Sequence, residues 1–381
     1  MIIDIPDHEK PYVGRVIDFA RKQQKRSIEE ITQGICARQT YQKIIKSIVT
    51  ESEIYDSLLS RLGLHYDYET SITPSYALLW EAFLDQNWNA FYHEIKVIKC
   101  ALKNWDIYRY ILHCFIECIE QKLSLDSAKQ LLPLLPKSLQ EIASYFILTF
   151  LYKEEIQDKQ IFTILSMETA INQCEYLFLL IKQEQYYHAA ILCNELLHTT
   201  YGKLHYSVLI AKLFIIQAIQ IDDFDQCCTE IKNDPCFIPH SDSTNQFSYT
   251  AGMFYYAHQD YEKAWEYLSQ VYTIEKYTFP SVLFLYHMET ITNYQLPKHD
   301  TTHMINENTE KAYRVFFQYY NMKYNHVPFS ALENYLWNEC RAMIPFVYPQ
   351  NIAKTIIHDE LFWISNQTGD KKKYYQFNKK K

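Results

Sequence analysis

The feature that most constrains the fold of this chain is a four-residue pattern that recurs five times. We call this pattern the repeat frame. The copies that begin at Tyr186, Phe224 and Tyr261 lie 38 and 37 residues apart, and those that begin at Trp88 and Leu125 lie 37 apart. A fixed period of this length is typical of proteins built from stacked helical repeats. The sequence therefore predicts helix pairs that bury their apolar faces against their neighbours. The copies read Trp88-Asn-Ala-Phe91, Leu125-Asp-Ser-Ala128, Tyr186-Tyr-His-Ala189, Phe224-Asp-Gln-Cys227 and Tyr261-Glu-Lys-Ala264.

The clearest copy matches the tetratricopeptide pattern. Gly252 and Tyr255 fall in its first helix, and Tyr261, Ala264 and Leu268 fall in its second. The small side chain of Ala264 is expected to let the two helices approach closely.

Three domains are predicted from this organisation. The chain has only 6 glycines in 381 residues, which favours helices over the turns and bulges of a sheet protein. We predict an all-α fold in which residues 1–66 form an N-terminal domain of short helices. Residues 67–300 are predicted to form a right-handed tetratricopeptide-like α-solenoid. Residues 301–381 are predicted to form a C-terminal helical cap with a frayed basic tail.

The segment from Val13 to Leu64 reads as a series of short amphipathic helices. Ser27 and Glu30 form a capping box that predicts the start of the second of these helices. Gly34 predicts the turn that joins the second helix to the third. Residues 13–48 contain eight basic and three acidic residues, although the whole chain has a formal net charge of -8. This N-terminal segment, which we call the head, therefore has a positive net charge, while the rest of the chain, which we call the body, is acidic.

The third helix of this head, predicted from Gln39 to Ile48, has basic and amide side chains on its outer face. Arginine and glutamine pair with base edges in the major groove, and lysine and threonine reach phosphates. A helix, a short turn and a second helix with such a face are typical of helix-turn-helix domains, so double-stranded DNA is a predicted partner. The residues predicted to contact DNA are Arg26, Ser27, Arg38, Gln39, Thr40, Gln42, Lys43 and Lys46.

One continuous motif in the head reads R-x-x-Q-K-R-S-I-E-E-I-T-Q-G-I-C-A-R-Q-T-Y-Q-K-I, and L-L-S-R-L-G-L follows it. This order resembles the lambda-repressor/Cro-type domain of the Rgg/PlcR-type (RRNPP) peptide-sensing transcription regulators of Gram-positive bacteria. The resemblance covers the head motif by motif and the body by architecture. It implies a homodimer that binds DNA and responds, as in quorum sensing, to a short signalling peptide held by the repeats. The family usually has an I-E-x-G run after the recognition helix, where this chain has Ile44-Ile45-Lys46-Ser47.

The first helices of stacked pairs line the concave side of a solenoid. Counting along the repeat frame places amide, aromatic, apolar and cationic side chains on that side. This mixture suits an extended oligopeptide, whose backbone is held by amides and whose side chains enter apolar pockets. The residues predicted to bind the peptide are Phe178, Lys182, Lys212, Ile216, Gln220, Gln246, Tyr249, Met253 and Tyr256.

Two alternatives remain open. The first is a tetratricopeptide-like protein-interaction scaffold whose head no longer reads DNA, which the lost glycine after the third helix favours. The second is a phage-type regulator that uses a peptide to choose between lysis and lysogeny, because such a regulator has the same plan.

No catalytic site, metal or cofactor is predicted. The glycines lie too far apart for a nucleotide-binding loop, and His93-Glu94 lacks the second histidine of a zinc-protease motif. His358, Asp359 and Glu360 are predicted to lie on a solvated helix face. The 10 cysteines include no C-x-x-C pair and are predicted to be buried thiols.

A cytoplasmic protein without membrane contact is expected. No apolar run approaches the length of a membrane span. Residues 1–7 also lack the basic region and apolar core of a signal peptide.

Overall fold

The computed structural model describes residues 5–46, 49, 51–67, 73–102, 106–154, 161–219, 223–239, 241–271, 275–292, 310–347 and 350–378. Within these ranges the secondary structure is helical and no β-strand occurs. A single backbone bridge in the same ranges pairs His65 with Asp106. The predicted all-α class is therefore confirmed.

Contacts within the chain divide it into two compact units, Met1–Leu204 and His205–Lys381. This division differs from the three predicted domains. The first unit contains α1 (Lys10–Gln23), α2 (Ile28–Thr32), α3 (Arg38–Lys46), α4 (Ser52–Arg61), α5 (Thr73–Leu84), α6 (Trp88–Ala101), α7 (Ile107–Ile119), α8 (Leu125–Leu131), α9 (Lys137–Glu154), α10 (Ala170–Lys182) and α11 (Tyr186–Thr199). The second contains α12 (Gly202–Ile219, which begins just before the division), α13 (Phe224–Asn233), α14 (Asp242–Ala257), α15 (Tyr261–Leu268), α16 (Glu275–Ile291), α17 (Lys311–Tyr324), α18 (Phe329–Tyr335), α19 (Arg341–Met343), α20 (Gln350–Thr368) and α21 (Lys372–Asn378).

The repeat frame marks the same structural position in every copy. Its first residue is the first residue of a helix, and its fourth residue is buried. The first residues are Trp88 of α6, Leu125 of α8, Tyr186 of α11, Phe224 of α13 and Tyr261 of α15. The buried fourth residues are Phe91, Ala128, Ala189, Cys227 and Ala264.

A left-handed backbone residue precedes three of these helices. Gln86, Glu184 and Gln259 have φ values of 52°, 58° and 64°, and each lies two residues before the helix start. In each case the amide of the next residue donates to the carbonyl five residues back, at 2.9–3.0 Å. This is the Schellman arrangement that closes a helix, in which glycine is the usual left-handed residue. The hairpin turns therefore share one geometry although glycine is absent from all three.

The hairpin of α14 and α15 is packed closely at Gly252. A Cβ atom at Gly252 would lie 2.5 Å from Cγ of Leu268 and 3.3 Å from the carbonyl oxygen of Ala264. Ala264 is fully buried, as the sequence predicts. Two small residues therefore lie where the helices meet, and the glycine is required for space.

The N-terminal helices pack on the helices that follow them in the first unit. The rings of Tyr12 and Tyr108 stack with centroids 5.7 Å apart, and the Tyr108 hydroxyl donates to the Glu9 carboxylate at 3.0 Å. Phe19 lies 6.3 Å from Tyr110 between ring centroids. These contacts join α1 to α7 across the predicted boundary at residue 66.

A buried carboxylate on α9 binds the start of α10. The Glu141 carboxylate accepts hydrogen bonds from the amide of Glu168 at 2.9 Å and from the hydroxyl of Thr169 at 2.8 Å. It also accepts from the side-chain amide of Asn172 at 2.8 Å and from the hydroxyl of Ser166. Burial alone would raise the pKa of Glu141, but these hydrogen bonds outweigh burial and lower that pKa. The negative charge also faces the positive end of the α10 dipole.

The C-terminal part of the second unit contains the helices α17, α18, α19, α20 and α21 within the described residues 310–347 and 350–378. A π-helical turn, Leu336–Cys340, continues α18 into α19. Within the tail predicted to be frayed, residues 379–381 lie outside the described residues, and residues Lys372–Asn378 form the helix α21. Its Tyr374 packs on His358 and Phe362 of α20, with ring centroids 5.2 and 5.3 Å apart.

One helix in the described ranges, α12, is long and apolar enough by length and composition to cross a membrane. Eight of its side chains are buried, which is the environment of a core helix.

We predict that Gly252→Ala lowers the free energy of unfolding by about 1–3 kcal/mol, because the new methyl group overpacks the contact with Leu268. Urea unfolding followed by circular dichroism measures this change. In a Leu268→Ala background the clash with the leucine is absent and only the 3.3 Å approach to the Ala264 carbonyl oxygen remains, while alanine is the better helix former. Gly252→Ala should then be neutral or stabilising, and an equal loss in both backgrounds would contradict close packing at this position.

We predict that Glu141→Gln lowers the free energy of unfolding at pH 7 by about 2–3 kcal/mol, since charge-assisted hydrogen bonds are lost. The folded-state pKa of Glu141 is lowered, so its stabilisation is present above the ordinary carboxyl pKa and disappears as pH falls through the lowered value. The difference between variant and wild type should therefore shrink toward pH 3, about one unit below the ordinary glutamate pKa. The control Glu154→Gln changes an exposed carboxylate on the same helix and should have no effect.

Candidate functional site

Two short helices joined by a tight turn form the centre of the N-terminal head. Ser27 begins α2 through a complete capping box with Glu30, as predicted. After α2 the amides of Ile35 and Cys36 donate to the carbonyl of Thr32, and Gly34 has a φ of +74°. The left-handed glycine thus reverses the chain before α3 begins.

The Arg61 guanidinium fixes the end of α2 from the last helix of the head. Its Nη1 donates to the carbonyl oxygens of Gln33 at 2.5 Å and Ile31 at 3.3 Å. These carbonyls lie where a helix leaves backbone acceptors without internal partners.

α3 is held against α1 by a close backbone approach. A Cβ atom at Gly14 would lie 2.1 Å from the carbonyl oxygen of Ile44, so only glycine fits there. The buried hydroxyl of Tyr41 donates to the Asp18 carboxylate at 3.0 Å, and Arg21 donates to the same oxygen at 2.9 Å. Burial would raise the pKa of Asp18, but hydrogen bonds from Lys22, Arg21 and Tyr41 outweigh burial and lower it. One face of α3 is therefore fixed.

The opposite face of α3 is open to solvent. Arg38, Gln42 and Lys46 follow one another at intervals of four residues and are exposed. Gln39 and Lys43, at the same interval, are also exposed, and Thr40 is half-buried. Arg38 forms an exposed ion pair with Glu29 at 3.1 Å, a contact of small energy that a ligand can replace. The structure therefore brings six of the predicted DNA contacts together on α3.

The other two predicted DNA contacts lie before α2 and have structural partners. The Ser27 hydroxyl accepts from the amide of Glu30 as the cap of α2. Arg26 donates to the carbonyl oxygen of Arg61 at 2.7 Å. Both side chains are exposed. The predicted end of the third helix at Ile48, and Ser47 in the position of the missing glycine, lie outside the described residues.

Four of the predicted peptide contacts form a stripe on α14. Gln246, Tyr249, Met253 and Tyr256 are spaced by three, four and three residues, and all are half-buried. The residues between them on the helix include the buried Phe247, Thr250 and Ala251 and so form its core face. We call these four residues the α14 stripe.

The other predicted peptide contacts are placed differently. Ile216 is only 2% exposed, so its predicted ligand contact is not supported: the side chain packs in the core. Lys212 pairs with Glu230 at 3.3 Å in the second unit. Phe178, half-buried, and Lys182, exposed, lie on α10 in the first unit. Gln220 lies outside the described residues.

The second unit buries an ion pair that the sequence interpretation missed. Lys323 of α17 donates to both carboxylate oxygens of Glu360, at 2.9 and 2.7 Å, and to the hydroxyl of Thr290 at 2.8 Å. The Tyr319 hydroxyl donates to the same carboxylate at 2.7 Å. Burial lowers the pKa of Lys323, against the attraction of Glu360. The ammonium group also lies 4.1 Å from the ring centroid of Trp363.

The predicted solvated face at 358–360 is therefore wrong for Glu360, which is completely buried. A sequence signal existed, since Glu360 continues the stripe of Ile352 and Ile356 at intervals of four residues. A carboxylate in an apolar stripe requires a buried partner. The partner lies 37 positions away, where no local pattern points to it.

A second hydrogen-bonded chain runs beside this pair. The Tyr256 hydroxyl donates to Nδ1 of His287 at 2.6 Å, and Nε2 of His287 donates to Asp359 at 2.9 Å. Nδ1 of His358 donates to the other oxygen of Asp359 at 2.6 Å. Burial would raise the pKa of Asp359, but the hydrogen bonds from His287 and His358 outweigh burial and lower it. Tyr256 of the α14 stripe is thus tied to α20.

The cysteines are mostly buried, as predicted, with Cys100 an exposed exception. Burial raises the pKa of Cys114 and of Cys118 to about 12, so both thiols stay protonated. Among the described residues, no group of three or more His, Cys, Asp or Glu side chains is arranged to hold a metal ion.

Comparisons of the chain with protein-family models, with curated proteins and with solved structures gave no match.

Proposed function

We propose that the head binds double-stranded DNA through α3 and that the protein is a transcription regulator of the peptide-sensing Rgg/PlcR type. In this proposal α2 and α3 are a helix-turn-helix, and the helical hairpins that follow stack as a tetratricopeptide-like solenoid. Two copies of the chain would read the two halves of a two-fold operator.

The main support for this proposal is that α3 has one buried face and one exposed face. Tyr41 and Ile44 are fully buried, while Arg38, Gln42 and Lys46 form an exposed row. A recognition helix needs both properties, because its inner face must be rigid while its outer face enters the major groove. Arginine and glutamine on that face supply paired hydrogen bonds to guanine and adenine, and lysine supplies phosphate contacts.

The close approach of Gly14 to Ile44 supports the same function. It sets the distance between α1 and α3 through backbone atoms, which cannot rearrange as a side chain can. The Arg61 contacts hold α2 in the same way. The two helices therefore form a rigid platform, as base readout requires.

We predict that the protein binds the DNA flanking its own gene, more weakly as salt rises, and prefers that DNA over an unrelated duplex. Arg38→Ala with Gln42→Ala should reduce this preference about 10- to 100-fold, because each paired base contact contributes about 1–3 kcal/mol of discrimination. Gel-shift titrations of both duplexes at two salt concentrations measure this preference and its salt dependence.

Arg15→Ala is the matched control, because it removes one exposed arginine of the head that lies on α1. This variant should keep the preference. An unchanged preference in the α3 double variant, or no salt-dependent binding by the wild type, would contradict the proposal and favour the scaffold alternative.

We also propose that the second unit holds a short peptide along the α14 stripe and that this peptide changes DNA binding. The α14 stripe supports this proposal, because the amide of Gln246, the phenol of Tyr249 and the thioether of Met253 follow one another on one half-buried helix face. Amides hold a peptide backbone, and aromatic and methionine side chains form adaptable pockets. The peptide acts only if its affinity differs between the two states of the protein.

We predict that a small-peptide fraction from cells that produce this protein changes the affinity of the wild type for DNA in gel-shift titrations. Tyr249→Ala with Met253→Ala should weaken this response at least about tenfold, since two apolar contacts with the peptide are lost. The control is Tyr187→Ala, a tyrosine that is 76% exposed on α11. An equal response in the double variant and the control would contradict the α14 stripe as the peptide site.

A further inference from the structure

A cavity of about 640 Å³ lies in the second unit among α19, α20 and α21. Its volume is within the range of small-molecule sites. Arg341, Lys354 and His358 line it, together with the apolar side chains of Ile344 and Phe377. Two cationic side chains and an imidazole therefore share this cavity with two apolar side chains, and Thr355 and Gln376 complete its described lining. Neither predicted interface uses this cavity.

Arg341 and Lys354 are the two cationic side chains of the cavity. In the part of the chain that the structure describes, neither Arg341 nor Lys354 forms an ion pair with an acidic side chain. The Arg341 guanidinium lies over the ring of Trp337, 4.2 Å from its centroid. This cation–π contact holds the guanidinium beside the ring, and N–H groups that do not face the ring can donate to an acceptor.

The third of these side chains, the imidazole of His358, is held in place by two contacts. Its Nδ1 donates to Asp359 at 2.6 Å, and the ring packs on Tyr374 of α21 with centroids 5.2 Å apart. Asp359 is held in turn by His287 at 2.9 Å. The other ring nitrogen, Nε2, has no hydrogen-bond partner among the described residues. Asp359 is thus a positioning residue that orients the imidazole at the cavity.

We propose that this cavity binds a small ligand that carries a carboxylate beside an apolar group. Arg341 and Lys354 hold the carboxylate, since charge-assisted hydrogen bonds to a planar carboxylate suit a guanidinium. His358 adds a third contact, and the apolar group lies against Ile344 and Phe377. The C-terminal end of a peptide and a free branched carboxylic acid share this chemistry. The site does not depend on whether the head binds DNA.

The test uses the full chain and three probes in isothermal titration calorimetry. N-acetyl-leucine carries the carboxylate, an isobutyl group and an amide, and N-acetyl-leucinamide lacks only the charge. The third probe, 4-methylpentanoate, keeps the carboxylate and the isobutyl group but lacks the amide. We expect N-acetyl-leucine to bind and the amide form to bind at least about tenfold more weakly, because a charge-assisted contact is lost. Equal binding of 4-methylpentanoate would assign a free acid, and preference for N-acetyl-leucine would assign a peptide terminus.

The variant Arg341→Gln with Lys354→Gln should weaken N-acetyl-leucine binding at least about tenfold. Lys371→Gln with Lys372→Gln removes two exposed charges near the cavity that do not line it, and should leave binding within about twofold of the wild type, as surface changes usually do. The proposal is overturned if the amide binds as well as the acid, or if no probe binds. It is also overturned if both double variants behave alike, or if inorganic phosphate, titrated as a further control, binds more tightly than N-acetyl-leucine.

Discussion

The close packing of a second helix against the first is the constraint on which the hairpins α5–α6, α10–α11 and α14–α15 depend. A pair of short helices buries too little apolar surface to be stable alone, so each pair needs both internal contact and neighbours. The buried fourth residue of the frame supplies the internal contact, from Phe91 to Ala264. At Gly252, where α14 and α15 approach closely, even one methyl group has no room. The left-handed turns at Gln86, Glu184 and Gln259 then set the hairpin reversal in three copies.

The C-terminal region replaces this regular packing with buried polar contacts. Lys323 and Glu360 are almost fully removed from solvent, and their attraction must offset a large loss of hydration. The bonds from Tyr319 and Thr290 satisfy the remaining donors and acceptors. The network favours one specific arrangement of α16, α17 and α20, because its polar groups are satisfied only where these three helices meet. The same helices carry the hydrogen bonds that orient His358 at the cavity.

The head illustrates how much of a candidate site can be read from local sequence. The capping box at Ser27, the turn at Gly34 and the exposed row from Arg38 to Lys46 all follow from the residues near them, and the structure has each of them. The contacts that hold α2 and α3 in place were not predicted. Gly14, Asp18 and Arg61 act across 20 or more positions of sequence, between Asp18 and Tyr41 for example, so no local pattern points to them.

The sequence by itself determined the helical class, the frame of the hairpins and the outer face of α3. These features depend on periodicity, capping and turn conformation, which act within a few residues. Only the tertiary structure decided that Ile216 is buried, that Glu360 pairs with Lys323, and that Arg341, Lys354 and His358 line one cavity. Burial and charge pairing depend on which helices meet, and helices distant in sequence meet through packing of whole faces, which the local pattern of one helix does not specify.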